Sequence, residues 1–395
     1  MRHPSLWPTA ASFLLASVVA LASGCTETPL QPSAIRASRN ALPTPAYRAT
    51  DLGTPGKNSS AVAINARGQI VGSNGDAFEQ RAVMWEKGTM VDLTTTGVAD
   101  ARAINEQGQV VGCAFSPTPG SFLWERGTLI DLGTIPGDPQ SCAYAVNNRG
   151  QVVGVSGVNF APAPCHAFLW ERGTMIDLGR LDGFCANPSA INSAGQVIGA
   201  VELGPGQWRA FLWERGTMTD IGTLGSTFTV SNAINSRGQI VGHGRTASGV
   251  FHAFLWDHGR MTDLGTLGTQ ANAQSQAWAI NEAGQVVGWT STANGEVHAS
   301  LWEQGTMTDL GTLGGIQSNA IAINARGQVL GNSLTADGEF RPFVWEGATM
   351  IALPPLASGF DGAGATATAI NSAGQVVGES VVSPNGERHA VLWTR

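Results

Sequence analysis

The sequence predicts an all-β fold: a closed eight-bladed β-propeller with four strands per blade. Three observations carry that expectation. A tryptophan ladder runs Trp85, Trp124, Trp170, Trp213, Trp256, Trp302, Trp345, Trp393, with gaps between 39 and 48 residues, the period of propeller blades. An asparagine ladder runs in step with it: Asn65, Asn105, Asn147, Asn192, Asn235, Asn281, Asn324 and Asn371, each inside an A-[IV]-N-x-x-G-Q-[VI] stretch. The third observation is an offset at the ends. The repeats open with a lone fourth strand, Tyr47–Thr54, and close with only three, Ala367–Trp393. Docking the first strand onto the last three completes the final blade and removes an exposed edge. An open solenoid needs capping repeats, and none is visible.

Each unit reads as strands a to d in order. Strand a is the alanine-rich run before Asn; the residue two before Asn is Ala in all eight copies. A strand with so little side-chain volume belongs nearest the axis, where strands crowd. Strand b (GQVVG) and strand c (HAFLW) are apolar without polar alternation, so both faces are expected to be buried. Strand d (TMTDLGT) is the polar outer strand. The a–b link (N-x-x-G) and the c–d link (W-E-R-G) share one grammar, read in both as a type I turn followed by a left-handed Gly. Both links then lie on one end of the blade.

The N-terminus reads as an address. Met1–Ala10 carries Arg2 and no acid, and Phe13–Ala22 is an apolar run too short to span a bilayer, the pattern of a signal peptide over residues 1–25. It ends in Ala22-Ser23-Gly24-Cys25, which resembles the bacterial lipobox, with the Cys25 sulfur as lipid acceptor. Ala22 stands where that motif usually carries Leu; plain secretion is the alternative. Thr26 stands where an Asp would retain such a lipoprotein at the inner membrane, so the resemblance implies an outer-membrane or cell-surface lipoprotein. Residues 26–46, rich in Pro, Ser and Thr, read as a tether, and residues 47–395 as the repeat domain.

The units His252–Thr269 (HAFLWDHGRMTDLGTLGT) and Ala279–Gly288 (AINEAGQVVG) resemble the HAF repeat family of extracellular bacterial proteins. The resemblance covers nearly all of residues 47–395. It implies an exported repeat protein and carries no catalytic residues.

Composition excludes some classes. The chain has 395 residues, 51 of them Gly, 13% charged residues and net charge −7. Its basic residues lie singly in turns, which argues against nucleic acid. No calcium loop, zinc-protease motif or phosphate loop is present, and no cofactor or metal is expected. His166, His252, His298 and His389 each stand four before a repeat Trp. Residues that recur once per blade lie on a ring, so these and the repeated Asp of strand d read as structural. Paired glycosidase carboxylates need about 5–9.5 Å; Glu202, Asp182 and Asp361 are the loop acids to test for convergence.

Cys113, Cys142, Cys165 and Cys185 all fall on the end opposite the short turns, within three consecutive blades. Four clustered cysteines in an exported chain suggest two disulfides. Of the three possible pairings, Cys113–Cys142 with Cys165–Cys185 is the expected one. The same end carries the long variable loops (Gly154–Cys165, Gly199–Trp208, Leu353–Thr366), where a scaffold places recognition. Trp208, Trp278, Trp289 and Tyr144 stand there as candidate binding residues; filling gaps between blades is their alternative role. The expected function is a monomeric binding or scaffold module for a protein or glycan ligand, touching the membrane only through its lipid. A polysaccharide hydrolase or lyase and a surface adhesin are the alternatives.

Overall fold

The computed structural model describes residues 47–53, 58–76, 79–94, 97–115, 120–157, 165–359 and 364–395. The signal peptide, Cys25, the tether and Asp361 lie outside the described residues. Among those described there is no helix and there are thirty-two strands. Each repeat forms one antiparallel meander. In the first, Ser59–Ile64, Ile70–Asn74, Arg81–Glu86 and Thr89–Asp92 pair in chain order. Strand Arg48–Asp51 pairs with the last strand, Arg388–Thr394, in register Arg48 opposite Thr394 to Asp51 opposite Val391. The lone N-terminal strand thus supplies the fourth strand of the last meander.

The core sits between sheets. One cluster joins Ile198, Ala210, Leu212 and Ile221 to Ile240 and Phe254 of the next repeat. Another joins Ala61, Ile70, Val83 and Trp85 of the first repeat to Val377 and Ala390 of the last. Phe168, Phe211, Phe254 and Phe343 are wholly buried, each contributing about 1.5–3 kcal/mol. Both faces of strands b and c are covered, as the lack of alternation predicts.

Two local features differ from the sequence reading. Strand a is not continuous: in every repeat its register slips by one at the third residue before Asn, from Val62 to Thr368. This β-bulge presses strand a against strand b. A β-carbon on the last Gly of G-Q-V-V-G would collide with a strand a carbonyl oxygen, that of Ser60 at Gly72 and of Asn319 at Gly331. The second correction concerns the c–d link. Glu86 and Thr89 pair directly, leaving the two-residue loop Lys87-Gly88 with φ of 50° and 79°. Both values are positive, so the turn is type I′, not type I with a bulge. Because type I′ needs positive φ at both places, Gly can take either one. Gly347-Ala348, φ 57° and 63°, is the copy in which it takes the first.

Candidate functional site

The two ends of the repeats have different chemistry. On the hairpin end each ladder Asn is buried, at most 6% exposed. Its Oδ1 accepts from the backbone N–H groups two and four residues on, as Asn192 does from Ala194 and Gln196 at 3.0 Å. Its Nδ2 donates to the Gln four residues on and to the backbone oxygen of the next ladder Asn. The inter-repeat bonds, 2.9–3.2 Å long, run Asn65, Asn105, Asn147, Asn192, Asn235, Asn281, Asn324, Asn371 and then back to Asn65. In five repeats the Gln side chain also reaches the acid that follows the repeat Trp, as in Gln196 to Glu214 at 2.7 Å. Asn, Gln and Trp-Glu are therefore parts of one hydrogen-bonded fastening. The ladder Asn side chains thus have their hydrogen-bonding groups taken up within the fold.

The strand d aspartates and the recurring histidines are likewise accounted for. Asp220 Oδ1 accepts from the Gly222 N–H at 2.8 Å, and five equivalent Asp residues do the same for the Gly two on. His252, His298 and His389 pair through Nδ1 with Asp263, Asp309 and Asp51 at 2.8–2.9 Å. His166 instead meets Asp138 at 3.0 Å. These pairs are spread one per repeat.

On the loop end the cysteines join as Cys113–Cys142 and Cys165–Cys185, with Cα–Cα distances of 4.8 and 4.4 Å. Each disulfide staples one repeat to the next. Tyr144 occupies the bulge position of its strand a. It packs against Cys165 and Cys185, and Arg102 lies 5.2 Å over its ring. Burial raises the Tyr144 phenol pKa, and Arg102 opposes that shift.

Trp208 lies one repeat further on, and Trp278 and Trp289 three. Trp208 is the register partner of Phe228 in the neighbouring sheet. Trp278, also at a bulge, lies 6.0 Å from the His243 ring. Trp289 pairs across its sheet with Gln276 and Ala299. What links Trp208 to Trp278 is a cluster that the sequence reading missed: Phe228, His243 and Phe251, with ring centres 5.2–6.1 Å apart. Arg245 caps it, its guanidinium 4.8 Å from the Phe251 ring centre and 5.9 Å from Phe228. Asn232 donates to the Ala277 carbonyl at 2.7 Å and lies 3.4 Å from His243 Nδ1. Enclosure lowers the His243 pKa to about 4, so the ring is neutral at physiological pH. The signal was available: Phe228, His243 and Arg245 are departures from the repeat, at places held elsewhere by residues such as Gln274, Ala200 and Ser291.

Glu202 stands opposite Trp208 in register, Asp182 is exposed, and no hydrogen bond or ion pair joins their side chains among the described residues. No cluster of three His, Cys, Asp or Glu placed to hold a metal occurs among the described residues.

Neither a protein-family model nor a curated protein matches the sequence. Solved structures do. A post-proline cleaving enzyme from Rickettsia typhi superposes with TM-score 0.53 at 10% identity, over 85% of this chain and 57% of that one. A prolyl endopeptidase gives 0.53 at 10%, over 85% and 54%. A Mycobacterium tuberculosis puromycin-hydrolyzing peptidase gives 0.50 at 13%, over 82% and 58%. The chain thus spans little more than half the length of these proteins, and the shared part is a β-propeller domain. At this identity the likeness establishes the fold alone: the chain is an all-β protein of the β-propeller kind.

Proposed function

We propose that the chain is a closed eight-bladed propeller that serves as a binding module through its loop-rich end, exported and held at the cell envelope by a lipid on Cys25. The HAF repeat resemblance fits an exported repeat protein, and the two disulfides fit an oxidising compartment. Closure is supported by the asparagine bonds that return to Asn65 and by the docking of Arg48–Asp51 on the last strand. The observation that carries the binding role is the aromatic cluster of Phe228, His243 and Phe251 between Trp208 and Trp278. It breaks the repeat where loops also vary, and it forms a partly exposed surface with a cation at its rim.

Two measurements test this reading. Deleting residues 47–53 removes the fourth strand of the last blade and the buried Tyr47. The expected result is a loss of more than about 4 kcal/mol, beyond ordinary single-site effects; an unchanged melting temperature defeats closure. For binding, the protein displayed on beads is exposed to glycan and protein arrays. Capture that is lost on Phe251→Ala with an unchanged fold supports the module; capture indifferent to every loop-end substitution defeats it.

A further inference from the structure

Arg245 differs from several other arginines of the repeats. Arg209 is paired with Asp220, Arg102 with Asp100, and Arg341 with Glu339. Arg245 is exposed and has no carboxylate partner among the described residues. Its guanidinium rests on two phenyl rings instead. That contact holds the flat group in place while its in-plane N–H donors still face solvent. A guanidinium so held is preorganised for a bidentate carboxylate. Trp208, the register partner of Phe228, whose ring Arg245 covers, is partly exposed, a flat apolar face suited to stacking against the C–H face of a sugar ring.

The combination narrows the ligand class. A phosphate-rich ligand calls for several cations, and single-stranded nucleic acid calls for a basic groove; the cluster contains one cation, on a chain of net charge −7. A neutral glycan leaves Arg245 without a role. A sugar ring that bears its own carboxylate satisfies both features. We propose that the loop end of the fourth to sixth repeats is a subsite for a uronate residue of an acidic polysaccharide. Arg245 takes the carboxylate, and Trp208 takes the pyranose face. The inference rests on the binding-module reading and gives its ligand a chemical class.

The test titrates the protein with tetragalacturonate and with its methyl ester, which keeps the sugar rings and removes the charge, following tryptophan fluorescence and heat. Saturable binding of the acid, with the ester at least tenfold weaker, is expected. Arg245→Gln should cost tenfold or more for the acid and leave acid and ester equal. Trp208→Ala should weaken both forms. Arg260→Gln, an exposed cation on an outer strand, should change nothing, and melting curves should show each variant folded. Equal affinity for acid and ester in the unsubstituted protein, no binding of either, or an Arg245→Gln variant that keeps its preference overturns the uronate subsite. If arrays then find another ligand lost on Phe251→Ala, the binding module stands without it; if no loop-end variant affects any capture, both fall.

Discussion

The hairpin end and the loop end are built from the same strands and are opposites in sequence economy. At the hairpin end every repeat contributes the same Asn, Gln and Gly, and each Asn bonds its neighbour's backbone. At the loop end some serines recur, as where Ser275 and Ser318 accept from the N–H of Ala253 and Ala299, but most side chains differ between repeats. Disulfides occur in one stretch, the aromatic cluster in the next. The difference has a physical cause. A buried amide with four hydrogen bonds leaves no room for another residue type, so the fastening recurs. Loops that contribute little to the inter-sheet core are free to change.

The most forceful way to break this comparison is to substitute one polar side chain at each end. Asn192→Ala removes a side chain with four partners and leaves the Asn235 oxygen and the Gln196 amide without theirs. At about 1–3 kcal/mol for each buried group left unpaired, the expected loss is about 3–5 kcal/mol, read from urea unfolding. Arg245→Gln on the loop end should stay within about 0.5 kcal/mol, as surface changes do. Similar losses at the two ends would mean that the loop end is also structural fastening.

A smaller effect separates the ends by pH. His243 is the cluster's one ionisable ring, enclosed by Phe228, Phe251 and Trp278, with the Asn232 amide beside it and Arg245 over the neighbouring rings. No carboxylate pairs with it among the described residues. Its folded pKa, about 4, lies below the unfolded value of about 6.5. Between these values the unfolded chain binds the extra proton, so stability is full above about pH 6.5 and is lost as pH falls toward 4. The expected loss is about 2–3 kcal/mol over that window. His243→Phe should remove it, measured as the difference between the two proteins' stability–pH curves.

The fold was legible from the sequence because a repeat multiplies weak signals. One W-E-R-G is ambiguous; a run of them at a steady period is not. The same register placed the four cysteines at one end within three repeats, and the pairing expected among the three possible is the one found. What stayed hidden has specific reasons. The strand a bulge falls at a position whose residue type changes from repeat to repeat (Val62, Arg102, Tyr144, Trp278), so no recurring residue marks it. The aromatic cluster hid because Phe228, His243, Arg245 and Phe251 come from three strands and are ordinary residues singly. A search for Trp and Tyr found the cluster's edges, Trp208 and Trp278, and not its middle.

The turn type was hidden for another reason: arginine does not advertise a positive φ. Arg215 holds 51° and Gly216 84°, and a left-handed backbone disfavours any residue with a β-carbon other than Asn or Asp. Arg215→Asn should therefore stabilise the protein, by about 0.5 kcal/mol, since Asn-Gly is the preferred type I′ pair. The side chain of Arg215 is exposed and no hydrogen bond or ion pair holds it among the described residues, so little is lost in exchange. A type I turn with a following Gly predicts otherwise: there Arg215 would sit in the right-handed region and Asn would gain nothing. The sign of a half-kilocalorie change, measured as a small rise in urea midpoint at constant slope, thus distinguishes the two turns. If the gain is additive when Arg172→Asn is made as well, the hairpin end is a set of independent turns held by one asparagine ring; if the second substitution adds nothing, the turns are coupled through that ring.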